Sequence, residues 1–162
     1  LIMKKVILLR HAKSSWDDFM LKDFERPLST RGIQDADLMG NYFKSKKITL
    51  DTVLLSPSQR TQETFQHFFS SGSIQKKLIE SFYHADIDSI INELNVLDEN
   101  VKNVMIIGHN PSMHELCEYL TGTFIEKYPT CGLAIMNFSD KWAELGSRCT
   151  DLEHFKKPSE LR

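Results

Sequence analysis

The stretch Val6-Ile7-Leu8-Leu9-Arg10-His11 sets the fold class of this chain of 162 residues. Four consecutive apolar residues are typical of a short strand buried on both faces, as in a parallel sheet. Arg10 and His11 follow at once, so the strand delivers a cation and an imidazole to the carboxyl edge, where open α/β sheets bind ligands. Guanidinium groups grip phosphate oxygens through paired hydrogen bonds, and neutral imidazole is a nucleophile near pH 7. The dipeptide therefore indicates attack on phosphorus, although taken alone it also fits a solvated strand end.

Short apolar runs alternate with helical patterns along the chain. Thr52–Leu55 and Val104–Ile107 resemble the first strand in length and character. Leu133–Phe138 and Trp142–Leu145 are predicted to form a late β-hairpin. This order predicts an α/β fold with three layers, α/β/α, around a mainly parallel central sheet with an antiparallel edge strand or hairpin. Apolar residues at helical spacing mark four helices, which cover Ile33–Phe43, Phe65–Phe69, Ile87–Leu97 and Met113–Leu120.

Length and composition narrow the class of protein. A chain of 162 residues is most simply one domain, residues 1–162, with a polar tail over residues 150–162. The net charge of −2 provides no basic field that would favour nucleic acid as a partner. No apolar run approaches membrane-spanning length, so we expect no membrane partner. Leu1 and Ile2 precede Met3, and we expect them to be a cloning remnant.

The cysteines and histidines argue against a metal site. Cys117, Cys131 and Cys149 lie far apart without C-x-x-C spacing, which disfavours a disulfide framework and a zinc site and fits a reducing cytoplasm. His109 and His114 are five residues apart, the wrong spacing for two ligands on one helix face. We therefore expect a cytoplasmic protein without metal or cofactor.

The joint that follows the second predicted strand is Ser56-Pro57-Ser58-Gln59-Arg60. Ser56 is predicted to cap the next helix, with Pro57 at the first helical position and Gln59 completing a capping box. Arg60 then lies in the first turn of this helix. The joint brings a guanidinium group to the same sheet edge as the first strand.

The joint after the third strand, Gly108-His109-Asn110-Pro111-Ser112, has the same design, with Asn110 predicted as the cap. Both joints place a helix N-terminus, with free N–H groups and a positive dipole end, at the carboxyl edge of the sheet. These features suit a tetrahedral dianion. The side chains predicted to meet in one pocket are those of Arg10, His11, Arg60 and His109.

Each of these four side chains can take a separate role in phosphoryl transfer. His11 can act as the nucleophile and form a covalent phosphohistidine that water later hydrolyses. Arg10 and Arg60 can clamp the phosphate oxygens and neutralise their charge, so no metal is required. His109 can donate a proton to the phosphoryl group when it is protonated, a form that bound phosphate favours.

Four motifs follow one another from Val6 to Phe138. They are Leu8-Leu9-Arg10-His11-Ala12-Lys13-Ser14, Arg26-Pro27-Leu28-Ser29-Thr30-Arg31-Gly32, Ser56-Pro57 with Arg60 and Thr61, and Gly108-His109-Asn110-Pro111. In this order they resemble the motifs of the histidine phosphatase superfamily, which has the phosphoglycerate-mutase-like fold. The short chain and the forms Arg-His-Ala-Lys-Ser and Gly-His-Asn-Pro make it most similar to the small SixA-type phosphohistidine phosphatase branch.

The resemblance implies a phosphatase with His11 as its nucleophile and the two arginines and His109 in the phosphate pocket. Ala12 stands where the superfamily usually has glycine. Larger relatives place a Glu or Asp acid about halfway between the second arginine and second histidine motifs, and Glu80 falls in that region. Glu80 is therefore a candidate acid for an alkoxide leaving group, and it fits a solvated loop carboxylate equally well.

These residues are compatible with three functions. The leading hypothesis is a metal-independent phosphatase that acts through a covalent phosphohistidine on His11 and removes phosphate from phosphohistidine in a protein, because a small core leaves the pocket open. A phosphatase of small phosphoesters, such as sugar phosphates, would be expected to depend on Glu80. A non-catalytic module that binds phosphorylated partners is disfavoured, because binding alone requires only the arginines and a helix terminus.

Overall fold

The computed structural model describes residues 3–70 and 73–162, so the expectation about Leu1 and Ile2 lies outside the described residues. The strands are β1 (Lys4–Arg10), β2 (Thr52–Leu55), β3 (Lys76–Leu78), β4 (Asn103–Gly108), β5 (Leu133–Phe138) and β6 (Asp151–Lys156). The α-helices are α1 (Thr30–Ser45), α2 (Gln59–Phe68), α3 (Ile87–Asn95) and α4 (Ser112–Thr121). Short 3₁₀ helices cover Asp23–Glu25, Glu80–Phe82, Trp142–Glu144 and Pro158–Glu160.

The strands form one mixed sheet in the order β3-β2-β4-β1-β5-β6. The four strands from β3 to β1 are parallel, and β5 and β6 continue the sheet in antiparallel pairings. Helices α1 and α2 contribute to the core on one face, and α3 and α4 contribute on the other. The predicted three-layer α/β fold is confirmed. Within the described ranges, no helix is both long and apolar enough to cross a membrane.

Strand β1 shows why the central strands are apolar at every position. Val6 and Leu8 pack in the core cluster with α3 and α4, whereas Ile7 and Leu9 pack in the cluster with α1 and α2. All four are fully buried, and burial of each side chain contributes about 1.5–3 kcal/mol. The carboxyl end of β1 is paired with β4, so His11 emerges beside the end of β4.

The prediction of a hairpin strand at Trp142–Leu145 is wrong. Residues Trp142–Glu144 form a 3₁₀ helix instead. The buried indole of Trp142 donates its N–H to the carbonyl oxygen of Val101 at 2.8 Å. The apolar residues of this segment therefore anchor a connection against the core.

The antiparallel partner of β5 is β6, which lies within residues 150–162, so the prediction of a polar tail there is also wrong. Leu152 and Phe155 both pack against the core cluster on the α3 and α4 face, although they are three residues apart. This is possible because the β5–β6 register shifts between Ile135 and Met136. The bulge breaks the two-residue period by which a strand is recognised in a sequence.

The two predicted helix caps have different outcomes. Ser58, not Ser56, caps α2, and its side chain accepts a hydrogen bond from the Thr61 N–H. Helix α4 begins at Ser112, and Pro111 rather than Asn110 occupies the cap position. The Asn110 side chain still accepts a hydrogen bond from the His114 N–H in the first turn of α4 at 3.3 Å, and it donates to the carbonyl oxygen of Tyr128 at 2.9 Å. Each helix begins later than expected, which leaves Ser56 and Asn110 at the sheet edge.

We expect Gly32→Ala to lower the free energy of unfolding by about 2–3 kcal/mol, because the alanine Cβ has no room. It would lie 2.1 Å from the carbonyl oxygen of Lys13. That oxygen also accepts a hydrogen bond from the Ser29 N–H at 2.9 Å, so the strand-end loop cannot withdraw freely. Urea denaturation measures the effect. Gly146→Ala is the control, because its Cβ would meet nothing within 4 Å, and equal stability of the two variants would contradict the prediction.

Candidate active site

The ends of β1, β4 and α2 enclose a cavity of about 420 Å³ at the carboxyl edge of the parallel strands. A neighbouring cavity of about 290 Å³ shares three of its residues and extends to Trp16. Glu80 is exposed and is not among the residues that line either cavity. The structure therefore brings four of the five predicted site residues together. The larger cavity is lined by Arg10, His11, Arg60 and His109 together with Tyr83 and His84, among others.

The backbone holds the His11 imidazole in one tautomer. Its Nδ1 lies 2.7 Å from the carbonyl oxygen of Ala12. A carbonyl only accepts, so Nδ1 carries the proton and Nε2 keeps its lone pair. Burial is the main cause that lowers the pKa of His11, to about 3. At neutral pH the ring is therefore uncharged, with a free nucleophilic nitrogen.

Alanine at position 12 fits the structure. Ala12 is fully buried and belongs to the core cluster with α1 and α2. Its N–H donates to the hydroxyl of Thr64 on α2 at 2.9 Å. The residue next to His11 is thus fixed by both packing and a hydrogen bond.

Arg10 presents an unpaired donor in the site. Its Nη1 donates to the carbonyl oxygen of Tyr128 at 3.0 Å, whereas its Nε is buried and has no hydrogen-bond partner among the residues that the structure describes. Leaving a buried donor unpaired costs about 1–3 kcal/mol, a penalty that an anion accepting this hydrogen bond relieves. Burial, followed by the nearby Arg60 cation, lowers the pKa of Arg10.

Asp23 organises the second guanidinium group. Arg60 donates from Nη1 to the Asp23 carbonyl oxygen at 2.8 Å and from Nη2 to the carboxylate at 3.0 Å. The same carboxylate accepts hydrogen bonds from Arg26 at 3.0 Å and from the Tyr83 hydroxyl at 2.7 Å. Tyr83 is the main cause that lowers the pKa of Asp23, to about 2, and the two arginines act in the same direction. Asp23 therefore remains ionised.

Asp23 is not among the residues predicted for the site. The residue lies three positions before Arg26, inside the loop ahead of α1, but it is separated from Arg60 by 37 positions. Its only local signal is the ion pair at i,i+3 with Arg26, which is common on protein surfaces. Arg26 is buried and braces this loop, because it donates to the Asp23 carboxylate at 3.0 Å and to the Ser15 carbonyl oxygen at 3.2 Å.

His109 lies between a hydroxyl and a guanidinium group. Its Nε2 is 2.8 Å from Ser56 Oγ, and its Nδ1 is 3.4 Å from Arg60 Nη2. Because a guanidinium group only donates, Nδ1 accepts and the proton resides on Nε2. Burial, followed by the Arg60 cation, lowers the pKa of His109 to about 4. A phosphate dianion in the cavity would oppose both effects and favour the protonated ring.

We expect the free energy of unfolding to fall as the pH is lowered from about 7 to about 5. The pKa values of His11 and His109 are about 3 and about 4 in the folded protein, against an ordinary value of 6.5. Below pH 6.5 the unfolded chain takes up protons at both rings while the folded protein does not. Each ring therefore contributes stability that is complete above this pH and is lost towards pH 4, with a slope approaching about 1.4 kcal/mol per pH unit.

Urea unfolding over this pH range measures the effect. His11→Gln removes one of the two rings, so its slope should be smaller than that of the parent protein by about 1 kcal/mol per pH unit. An unchanged slope in this variant would contradict the burial of a neutral imidazole at position 11.

The sequence of this chain is similar to the sequences of known proteins. A sequence model of the histidine phosphatase superfamily (branch 1) matches residues 6–88. An uncharacterized protein of Mycobacterium tuberculosis is 31% identical over 160 residues, which cover 93% of this chain and 99% of the relative. The phosphohistidine phosphatase SixA of Escherichia coli is 30% identical over 111 residues, which cover 66% of this chain and 68% of SixA.

A solved structure shares the fold. The protein histidine phosphatase SixA complexed with tungstate superimposes with a TM-score of 0.84 at 23% identity, over 98% of this chain and 99% of the other. At this identity the likeness concerns the architecture. The six-stranded sheet described above is thus a known arrangement.

Proposed function

The chain belongs to the histidine phosphatase superfamily (branch 1) and is a phosphatase, and we propose that it removes phosphate from a phosphohistidine side chain of another protein. The family that the four motifs predict is thereby confirmed. One observation carries the proposed mechanism: the free lone pair of His11 Nε2 lies in a cavity that also contains the guanidinium groups of Arg10 and Arg60.

The proposed reaction has two displacements at phosphorus. In the first, His11 Nε2 forms a bond to phosphorus while the P–N bond of the substrate breaks, and the leaving imidazole nitrogen takes a proton from protonated His109. In the second, water attacks phosphorus and gives a proton back to His109, the P–N bond to His11 breaks, and inorganic phosphate is released. Arg10 and Arg60 hold the oxygens that carry the charge in both steps.

The side chains around the cavity favour phosphohistidine over a phosphoester. The aromatic and imidazole groups of Tyr83, His84 and His109 line it, whereas the candidate acid Glu80 is exposed outside it. An alkoxide leaving group requires a positioned acid, but an imidazole leaves readily once it is protonated. We therefore expect Glu80→Gln to change phosphohistidine turnover by less than about 2-fold. A collapse of ester hydrolysis in that variant, with phosphohistidine never attacked, would support the phosphoesterase instead.

The experiment that tests the function is turnover of a phosphohistidine protein against a panel of phosphoesters. We expect a higher kcat/KM for the phosphoprotein than for any sugar phosphate. A preference for the sugar phosphates would overturn the proposed substrate. If the protein binds the phosphoprotein but releases no phosphate and acquires no label, the binding module is correct.

We expect Asp23→Asn to lower kcat/KM for phosphohistidine by about 10-fold, because a neutral amide holds the guanidinium of Arg60 less firmly than a carboxylate does. Steady-state kinetics with purified protein measures the effect, and inhibition by inorganic phosphate should weaken in parallel. Asp18→Asn is the matched control on the same loop, since the Asp18 carboxylate accepts a hydrogen bond from the nearby Met20 N–H and does not contact Arg60 within the described part of the chain. Equal kinetics in the two variants would show that Asp23 does not position Arg60.

A further inference from the structure

An unusual group of exposed apolar side chains lies on the loop Trp16–Phe24. The exposed fractions are 73% for Trp16, 87% for Phe19, 79% for Met20 and 39% for Phe24. Single exposed apolar residues are normal, but a group of large ones on one loop marks an interaction site. We call this segment the apolar loop.

The apolar loop is attached to the rim of the active site at one end through Trp16. The Trp16 side chain lines the 290 Å³ cavity together with Arg10, His11 and Arg60. The guanidinium carbon of Arg26 lies 3.2 Å from the centre of the Trp16 ring. Trp16 is therefore held at the mouth of the phosphate pocket by a cation–π contact.

The other end of the loop borders the larger cavity. The ring of Phe24 meets the ring of Tyr83 edge to face, with centres 5.0 Å apart. Tyr83 lines the larger cavity and donates to the Asp23 carboxylate. The same carboxylate also binds the Arg60 guanidinium, so both ends of the apolar loop are attached to the rim of the site.

We propose that the apolar loop is the docking surface for the substrate protein, a folded domain that presents its phosphohistidine beside apolar side chains. This inference rests on the function proposed above. The phosphoryl dianion complements the cations of Arg10 and Arg60, and a histidine that reaches His11 from a protein surface brings neighbouring side chains over Trp16. Phe19 and Met20 are exposed on the same loop, and binding of a small phosphate compound in the cavity does not require them. Aromatic residues and methionine are the types enriched in protein interfaces.

The test compares a protein and a small substrate in the same variants. The probes are a phosphorylated histidine-containing phosphotransfer domain and free phosphohistidine. For the double variant Phe19→Ser/Met20→Ser we expect kcat/KM on the phosphoprotein to fall by about 30-fold, mainly through a higher KM. Turnover of free phosphohistidine should change by less than about 2-fold, which also shows that the variant is folded.

The matched control is the double variant Val96→Ser/Phe124→Ser, which removes two side chains that are 78% and 80% exposed and line neither cavity of the site. It should leave both substrates unaffected. Unchanged phosphoprotein kinetics in the loop variant would overturn the proposed docking surface. If the kinetics are unchanged but the parent protein forms a dimer that the variant does not form, the loop serves self-association. If they are unchanged but the variant loses binding to lipid vesicles, the loop binds a lipid surface. A parent protein that hydrolyses neither probe would instead refute the proposed function itself.

Discussion

Replacing His11 by alanine is expected to lower kcat/KM for a phosphohistidine substrate by about 10⁴-fold or more, the largest effect of any single change. The alanine removes the only group proposed to form a bond to phosphorus. Arg10 and Arg60 remain to bind the phosphoryl group, so affinity for inorganic phosphate should fall far less than turnover. A large loss of rate with phosphate binding retained is the expected signature of a missing nucleophile.

Two measurements check the role of His11. Steady-state phosphate release gives the rate, and a rapid quench with labelled substrate detects the intermediate, whose label should be stable in alkali and labile in acid. Parent protein should acquire this label and His11→Ala should not. His67→Ala serves as the control, since His67 lies on α2 and does not line either cavity of the site. Full activity in His11→Ala would overturn the mechanism.

Replacing Arg60 by alanine is expected to lower kcat/KM by about 10³-fold, because this guanidinium neutralises charge on the phosphoryl oxygens in the transition state. Arg60→Lys should recover little of the loss. A lysine ammonium lacks the planar fork that reaches both the carbonyl and the carboxylate of Asp23. Kinetics on phosphohistidine and phosphate inhibition measure both variants.

The same substitution gives an independent readout at His109. The Arg60 cation is the second cause, after burial, that lowers the pKa of His109. Its removal should therefore raise the pKa of His109 above about 4, as an NMR titration would show. Arg31→Ala is the control, because Arg31 is exposed in the first turn of α1. If Arg60→Ala keeps turnover within about 3-fold of the parent, the clamp is not required.

The sequence by itself determined the framework of the site. Strands buried on both faces must be apolar at every position, so β1, β2 and β4 were visible as short apolar runs. Parallel strands end at a common edge, and this rule predicts that Arg10, His11, Arg60 and His109 meet, as the structure shows. The helix starts were less certain, because Ser56-Pro57-Ser58 contains two residues that can cap a helix.

Only the tertiary structure decided what surrounds those four side chains. Strand β6 was hidden because a bulge places Leu152 and Phe155 on the same face without a two-residue period. Asp23 reaches Arg60 across 37 positions, and no local pattern in the loop that carries it indicates this contact. A local sequence pattern indicates which residues of a segment pack against the core. Contacts between distant loops depend instead on the path of the chain between them. The positions of the proposed nucleophile and its proposed clamps were therefore predictable from sequence, whereas Asp23 and the proposed docking surface were not.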